Sequence, residues 1–198
     1  MKKLNYLSLL AGFLLFGLTI AGCDDDDEPP VENPEEVITD VTLTFTPVGG
    51  AAPITATASD PDGEGPQDLE PDGAITLDAN TEYTMTIELR NEIEDEDVTE
   101  EIEDEDDEHM FFFSFTDPLF DSPEGDGNYD NRSDPLNYND KDENDNPVGL
   151  STSWTTAGAG SGTFRVVLKH QPDNLKTDTS GSDVGASEVD VVWDLTIR

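Results

Sequence analysis

An all-β chain, an antiparallel β-sandwich of about seven or eight strands with one short acidic helix, is the fold class predicted from residue 37 onward. Three observations predict it. Apolar and polar residues alternate with period two through most of that stretch. Clusters of Gly, Pro, Asn and Asp separate the alternating runs and supply turn chemistry. Helical patterns long enough for βαβ crossovers are missing, and alternation with one wet face belongs to antiparallel sheets.

The strands follow in order. Val41, Leu43 and Phe45 alternate with Thr42, Thr44 and Thr46, and Ile54, Ala56 and Ala58 alternate with Thr55, Thr57 and Ser59. Asp60-Pro61-Asp62-Gly63 is a turn, because Pro presets one backbone angle and Gly permits positive φ. Ile75-Thr76-Leu77 reads as a short strand. Tyr83, Met85, Ile87 and Leu89 form one face of the next. Met110 to Phe115 is apolar on both sides and reads as a strand buried on both faces. Leu150, Thr152 and Trp154 share a face, and the Gly-rich stretch from Ala157 to Gly162 predicts a hairpin turn into the strand Thr163 to His170. The last strand carries Val189, Val191, Trp193, Leu195 and Ile197 inward, with Val192 as an exception to the alternation. Between strands, Asp97 to His109 places Val98, Ile102, Glu105 and His109 along one helical face. Acidic residues suit the start of that helix and not its end, so it should be short.

The N-terminal 36 residues follow a different logic. Met1-Lys2-Lys3 is basic, Leu4 to Ile20 is mostly apolar, and Ile20-Ala21-Gly22-Cys23 ends the run with small residues before a cysteine. This is the pattern of a secretory signal peptide over residues 1–22. The apolar run approaches the length of a membrane span, but no cluster of Lys or Arg follows to stop transfer. The small residues before Cys23 resemble the bacterial lipobox, which implies that the Cys23 thiol is acylated and becomes the mature N-terminus, so that the membrane is a partner through the lipid anchor. The run Asp24-Asp25-Asp26-Asp27-Glu28 resembles an export signal that sends lipoproteins to the outer face of the outer membrane. Residues 23–36 are acidic and proline-rich, with too little apolar surface to fold, and read as a tether. Residues 37–198 remain as the sandwich domain.

Composition narrows the function classes. The chain has 9 Lys and Arg against 47 Asp and Glu, a formal charge of −38. Such a field repels nucleic acid and anionic membrane surfaces and attracts cations and basic partners. Cys23 is the single cysteine. No disulfide can form, and a Cys–His nucleophile is excluded. No serine sits in G-x-S-x-G, and there is no P-loop or G-x-G-x-x-G. The expectation is a protein that is not an enzyme.

Two groups of residues are candidate cation ligands. Asp140, Asp142 and Asn144, with Asp145 beside them, have the alternate spacing of the first half of a calcium loop. The sixth position is Asp145 where an EF-hand needs Gly, and the twelfth is Ser151 where it needs Glu, so an EF-hand is excluded and only a looser loop remains. The second group uses the only histidines, His109 and His170. One opens its strand and the other closes its strand. If the strands are antiparallel neighbours, the two rings meet at one end of the sheet. There Glu105 or Glu101 could add a carboxylate to the two imidazoles and complete a site for zinc or iron.

Several segments together resemble a family of small Bacteroidota surface lipoproteins of unassigned function. These are the Cys-Asp-Asp-Asp start, Asp97-Val98-Thr99-Glu100-Glu101-Ile102, Glu108-His109 before aromatics, Asn146-Pro147-Val148-Gly149-Leu150, Leu168-Lys169-His170-Gln171-Pro172 and the final strand. Members often carry the label of a type 1 periplasmic binding fold, a two-domain α/β structure far longer than this chain, whereas the alternation here is all-β. The resemblance implies an anchored surface protein and brings no ligand residues. The expected role is a binding module, for cation or nutrient capture beside an outer-membrane uptake receptor. The alternative is a structural or adhesive surface protein.

Overall fold

The alternating segments become strands because their inward residues have one core to share. In the computed structural model, residues 36–63 and 68–198 are described. The expected signal peptide, Cys23 and the tether as far as residue 35 lie outside the described residues. Among the described residues, no helix is long and apolar enough to cross a membrane.

Among the described residues, eleven strands and one helix follow in order: β1 (Asp40–Pro47), β2 (Ile54–Ser59), β3 (Glu70–Pro71), β4 (Ile75–Leu77), β5 (Glu82–Asn91), β6 (Glu96–Asp97), α1 (Val98–Asp104), β7 (His109–Phe115), β8 (Phe120–Ser122), β9 (Ser151–Thr156), β10 (Gly160–His170) and β11 (Ala186–Ile197). One sheet has the order β3-β2-β1-β5-β9-β8, with β6 pairing β5, and the other has the order β4-β11-β10-β7. Every pairing is antiparallel except β4 on β11, which is parallel. The all-β, sandwich-like class expected from the alternation is the one observed.

The core follows the alternation. Val41, Leu43, Phe45, Met85 and Leu89 of the first sheet and Phe111, Phe113, Phe164, Val166, Leu168 and Trp193 of the second are all buried in one cluster. Trp154 sits among Phe113, Phe115, Phe120 and Phe164, with ring centroids 4.9–5.6 Å away and tilted or edge-on. Such pairs add about 0.5–1.5 kcal/mol each beyond the area they bury. The Trp193 indole crosses the sandwich and donates to the Thr57 carbonyl at 3.1 Å.

The other face of β7 is also covered, as its aromatic run predicts. Met110, Phe112 and Val167 form a second small cluster against Tyr129 and Tyr138. Asn128 holds this cover in place. Its side-chain oxygen accepts from the Phe113 N–H, its amide donates to the Tyr138 hydroxyl, and that hydroxyl donates to the Phe111 carbonyl.

Two expectations change. The strands among the described residues number eleven and not seven or eight, because β3, β6 and β8, of two or three residues each, are too short to show alternation. The Gly-rich stretch after Trp154 is not a hairpin, because β9 belongs to the first sheet and β10 to the second. It is a crossover between sheets. The glycine at 162 has a packing cause: a Cβ there would stand 2.4 Å from the Thr116 side chain.

The helix is short, as its acidic end requires. Asp97 caps it by accepting from the Thr99 N–H, and Val98 and Ile102 are its buried residues. Its last turn leads through Glu105 to His109, and this connection positions the site.

Candidate metal centre

His109 and His170 face each other across β7 and β10, directly paired in the ladder. Residues at every second position from them, Phe111 and Leu168, are in the core. Both imidazoles therefore point inward, at the end of the sandwich where the apolar core stops. The rings are stacked, with centroids 4.6 Å apart and planes 9° from parallel. The expected proximity of the two histidines is what the structure shows.

Two carboxylates complete the group, and neither was expected. The first is Glu188, near the start of β11. In a regular strand, with Val189 inward, Glu188 would face solvent. The register shifts between Leu168 and Lys169: Leu168 pairs with Val189 and Lys169 with Ser187, leaving Glu188 as the extra residue. A bulge of this kind re-aims a side chain, and the Glu188 side chain is 0% exposed. Gly185, just before β11, makes the approach possible. Its φ is +77°, and a Cβ there would stand 1.9 Å from the His170 carbonyl oxygen.

The second carboxylate is Glu36, the last residue of the expected tether. Instead of ending a solvated linker, it is docked on the domain. Its backbone N–H lies 3.4 Å from Glu188 Oε1 and its Oε2 lies 3.3 Å from His109 Nε2. Three residues later the Thr39 N–H donates to the Arg90 carbonyl, continuing into the first sheet. The segment thus links the two sheets at the site.

Glu36, His109, His170 and Glu188 each offer a ligand atom, all within 4.8 Å of one another. The closest contacts are already shorter: 3.3 Å from His109 Nε2 to each carboxylate and 3.2 Å from His170 Nδ1 to Glu188 Oε1. Tetrahedral zinc with bonds of about 2.0–2.1 Å has ligand atoms about 3.3 Å apart, so the shorter contacts match and the longer ones need a modest contraction. His109 Nδ1 is 3.1 Å from the Glu105 carbonyl. An Nδ1–H donated there fixes the tautomer and leaves Nε2 as the ligand, the usual outer support of a metal-bound histidine. Glu188 Oε2 is buried and accepts no well-formed hydrogen bond, although His109 Nε2 stands 3.3 Å away. A dication would also balance two buried carboxylates, since burying unpaired charge is costly.

The protonation pattern without metal reflects the same crowding. Burial pushes the His109 imidazole down, but the Glu188 and Glu36 carboxylates outweigh it and raise it from 6.5 to about 10. Burial pushes Glu36 up, but hydrogen bonds to His109 and Glu188 and the attraction of the His109 charge together outweigh it and hold it at about 2. Glu188 goes the other way: burial dominates and lifts it to about 7.

Of the expected partners, Glu105 does lie at the site, in a different role. Its carbonyl orients His109, and its carboxylate forms a second group with Glu108 and His170 whose ligand atoms are also within 4.8 Å. Glu101 belongs to neither group among the described residues. Its carbonyl accepts from the Glu105 N–H at the helix end.

The candidate calcium loop is organised differently from a cation site. Asp140 accepts from the Gly149 and Ser151 N–H groups through its two oxygens. Asp142 Oδ1 accepts from the N–H groups of Asn144 and Asn146, and Oδ2 from the Asn146 side chain. The cation at Asp142 is the chain's own: Lys176 Nζ lies 3.2 Å from Oδ2, both side chains being 0% exposed. Asn144 contributes its backbone N–H. Asp145, at φ +67°, sits with an exposed side chain 3.9 Å from Lys141. Among the described residues, Asp140, Asp142 and Asp145 do not converge as a ligand group.

No protein-family model matches the chain, and no curated protein is significantly similar to it. Nothing in these comparisons indicates an enzyme.

Proposed function

We propose that the chain is a lipid-anchored surface module that binds a divalent transition-metal cation, as cation capture beside an uptake receptor requires. The observation that carries this reading is the buried group of two imidazoles and two carboxylates, whose ligand atoms all lie within 4.8 Å of one another. Imidazole nitrogen with carboxylate oxygen suits zinc, iron, nickel or cobalt, whereas calcium takes six to eight oxygens. The histidine group therefore favours a transition metal. The engagement of Asp140 and Asp142 with backbone N–H groups and Lys176 argues against calcium at the loop. The resemblance of the residues before Cys23 to a lipobox, and the acidic run after it, support the address at the outer face of the outer membrane.

Zinc titration of the purified domain by calorimetry tests the reading. Wild type is expected to bind one tight equivalent, and His109→Ala/His170→Ala none. Zinc at a hundredfold excess over Kd should stabilise the fold by about 2.7 kcal/mol. Equal titration of both proteins would end the metal reading. Cys23→Ser is expected to release the protein from membranes or leave it unprocessed. Membrane association unchanged by that substitution would remove the anchor.

A second reading rests on the raised His109 imidazole. Here the group is an ionic latch, an imidazolium between two carboxylates, in a structural or adhesive surface protein. The same titration separates the two, because a latch needs no metal.

A further inference from the structure

Among the described residues, two ligand groups share one histidine. The inner group is buried, with side-chain exposures of 0% for His109 and Glu188, 2% for His170 and 7% for Glu36. The outer group of Glu105, Glu108 and His170 reaches the surface, where the Glu108 side chain is 28% exposed. His170 stands between them and uses opposite ring edges. Its Nδ1 is 3.2 Å from Glu188 Oε1, and its Nε2 is 3.5 Å from Glu108 Oε2.

A hydrated dication meets a barrier at the inner group, because it must shed its water before the buried ligands can replace it. A half-exposed carboxylate pair lowers that barrier by exchanging water for oxygen ligands in steps. A local concentration of negative charge also raises the encounter rate of a cation. The outer group lies on the more exposed side of His170, and its histidine nitrogen belongs to the same ring that serves the inner one.

We infer that Glu105 and Glu108, with His170 Nε2, form an entry position that captures a divalent transition metal and passes it to the inner centre. This inference rests on the proposed metal reading and adds a route to it. The outer position is weaker, since its carboxylates remain in contact with water. The inner one holds the cation at equilibrium.

Stopped-flow loading of the metal-free domain with zinc, read by a fluorescent zinc indicator, tests the route. The variant is Glu105→Gln/Glu108→Gln, which keeps the Glu105 carbonyl on His109. The control is Asp121→Asn/Glu124→Gln, which removes the same charge from exposed positions elsewhere. Loading is expected to slow about tenfold in the variant and hardly at all in the control, while calorimetry finds the affinity of the tight equivalent within about threefold of wild type. Loading that matches the control would overturn the entry role. So would an affinity that falls in step with the rate, because the two residues would then be supports of the inner centre. A wild-type domain that takes up no zinc at all is a different failure, that of the metal reading itself.

Discussion

Lys176→Met is the most demanding test of the structure away from the metal centre. The Lys176 ammonium and the Asp142 carboxylate are both fully buried and 3.2 Å apart, and the ammonium also donates to the Asp106 carbonyl. Burial pulls the lysine below its ordinary value even with Asp142 beside it. Asp142 is held below its own ordinary value despite burial, by the Asn146 N–H and the lysine. Removing one partner of a buried pair costs about 3–5 kcal/mol. Three N–H donors remain on Asp142, so the low end, about 3 kcal/mol, is expected. With a urea slope of about 1–3 kcal/mol/M, the unfolding midpoint should fall by roughly 1–3 M. The double variant Lys176→Met/Asp142→Asn should be destabilised by less than the sum of the two single variants, because the second change removes the stranded charge. Wild type should melt identically in calcium chloride and in sodium chloride of matched ionic strength. A Lys176→Met unfolding free energy within about 0.5 kcal/mol of wild type would refute the pairing, and strictly additive losses would refute the coupling.

Two other outcomes concern the histidine centre in its metal-free form. His109, raised from 6.5 to about 10, contributes stability that is complete below pH 6.5 and lost as pH rises through 10, whereas Glu36, lowered from 4.5 to about 2, contributes stability present above pH 4.5 and lost as pH falls through 2. Glu188, raised from 4.5 to about 7, has the sign of the histidine: its contribution is present below pH 4.5 and lost as pH rises through 7. Urea unfolding across roughly pH 3–10.5 should therefore weaken towards both extremes, and His109→Gln should flatten the alkaline fall; an unchanged alkaline limb would show that His109 is not charged by its carboxylates. Gly185→Ala should destabilise the fold by about 2 kcal/mol or more, because positive φ and the His170 carbonyl both oppose a Cβ; chemical denaturation checks this, and a neutral result would mean that the β10–β11 approach is looser than described.

How much of this was legible in the chain depends on the reach of each interaction. Alternation is local, so the long strands and the inward faces of Phe113, Val166 and Trp193 could be read directly. The meeting of His109 and His170 needed only the assumption that β7 and β10 are antiparallel neighbours. Glu188 could not be found that way, since parity assigns it to solvent and only the bulge opposite Leu168 and Lys169 turns it inward. The one available signal was Gly185, which allows the close approach just before it. Glu36 was hidden by its neighbours: acidic, proline-rich sequence reads as solvated linker, and one docked carboxylate leaves no periodic trace. In the Asp140 loop the oxygen spacing was real, but the cation comes from Lys176, far along the chain, and no local pattern encodes it. The parallel pairing of the three-residue strand β4 with β11 and the two-residue strands β3 and β6 were equally out of reach, being fixed by the sheets they border.

The docking of Glu36 also decides where mechanical tension would enter the molecule. Under the proposed anchoring through Cys23, any drag on the domain is transmitted through the residues just before β1. The first contacts to feel it are those of Glu36 with His109 and Glu188, short-range ionic contacts that a bound cation would tighten. Behind them stands β1, held between β2 and β5 by six and eight register pairs. A pull along β1 shears these hydrogen bonds all at once instead of opening them one by one. Under that anchoring, the proposed cation centre lies ahead of β1 in the path of the load, so its occupancy would bear on how firmly the start of the domain is held.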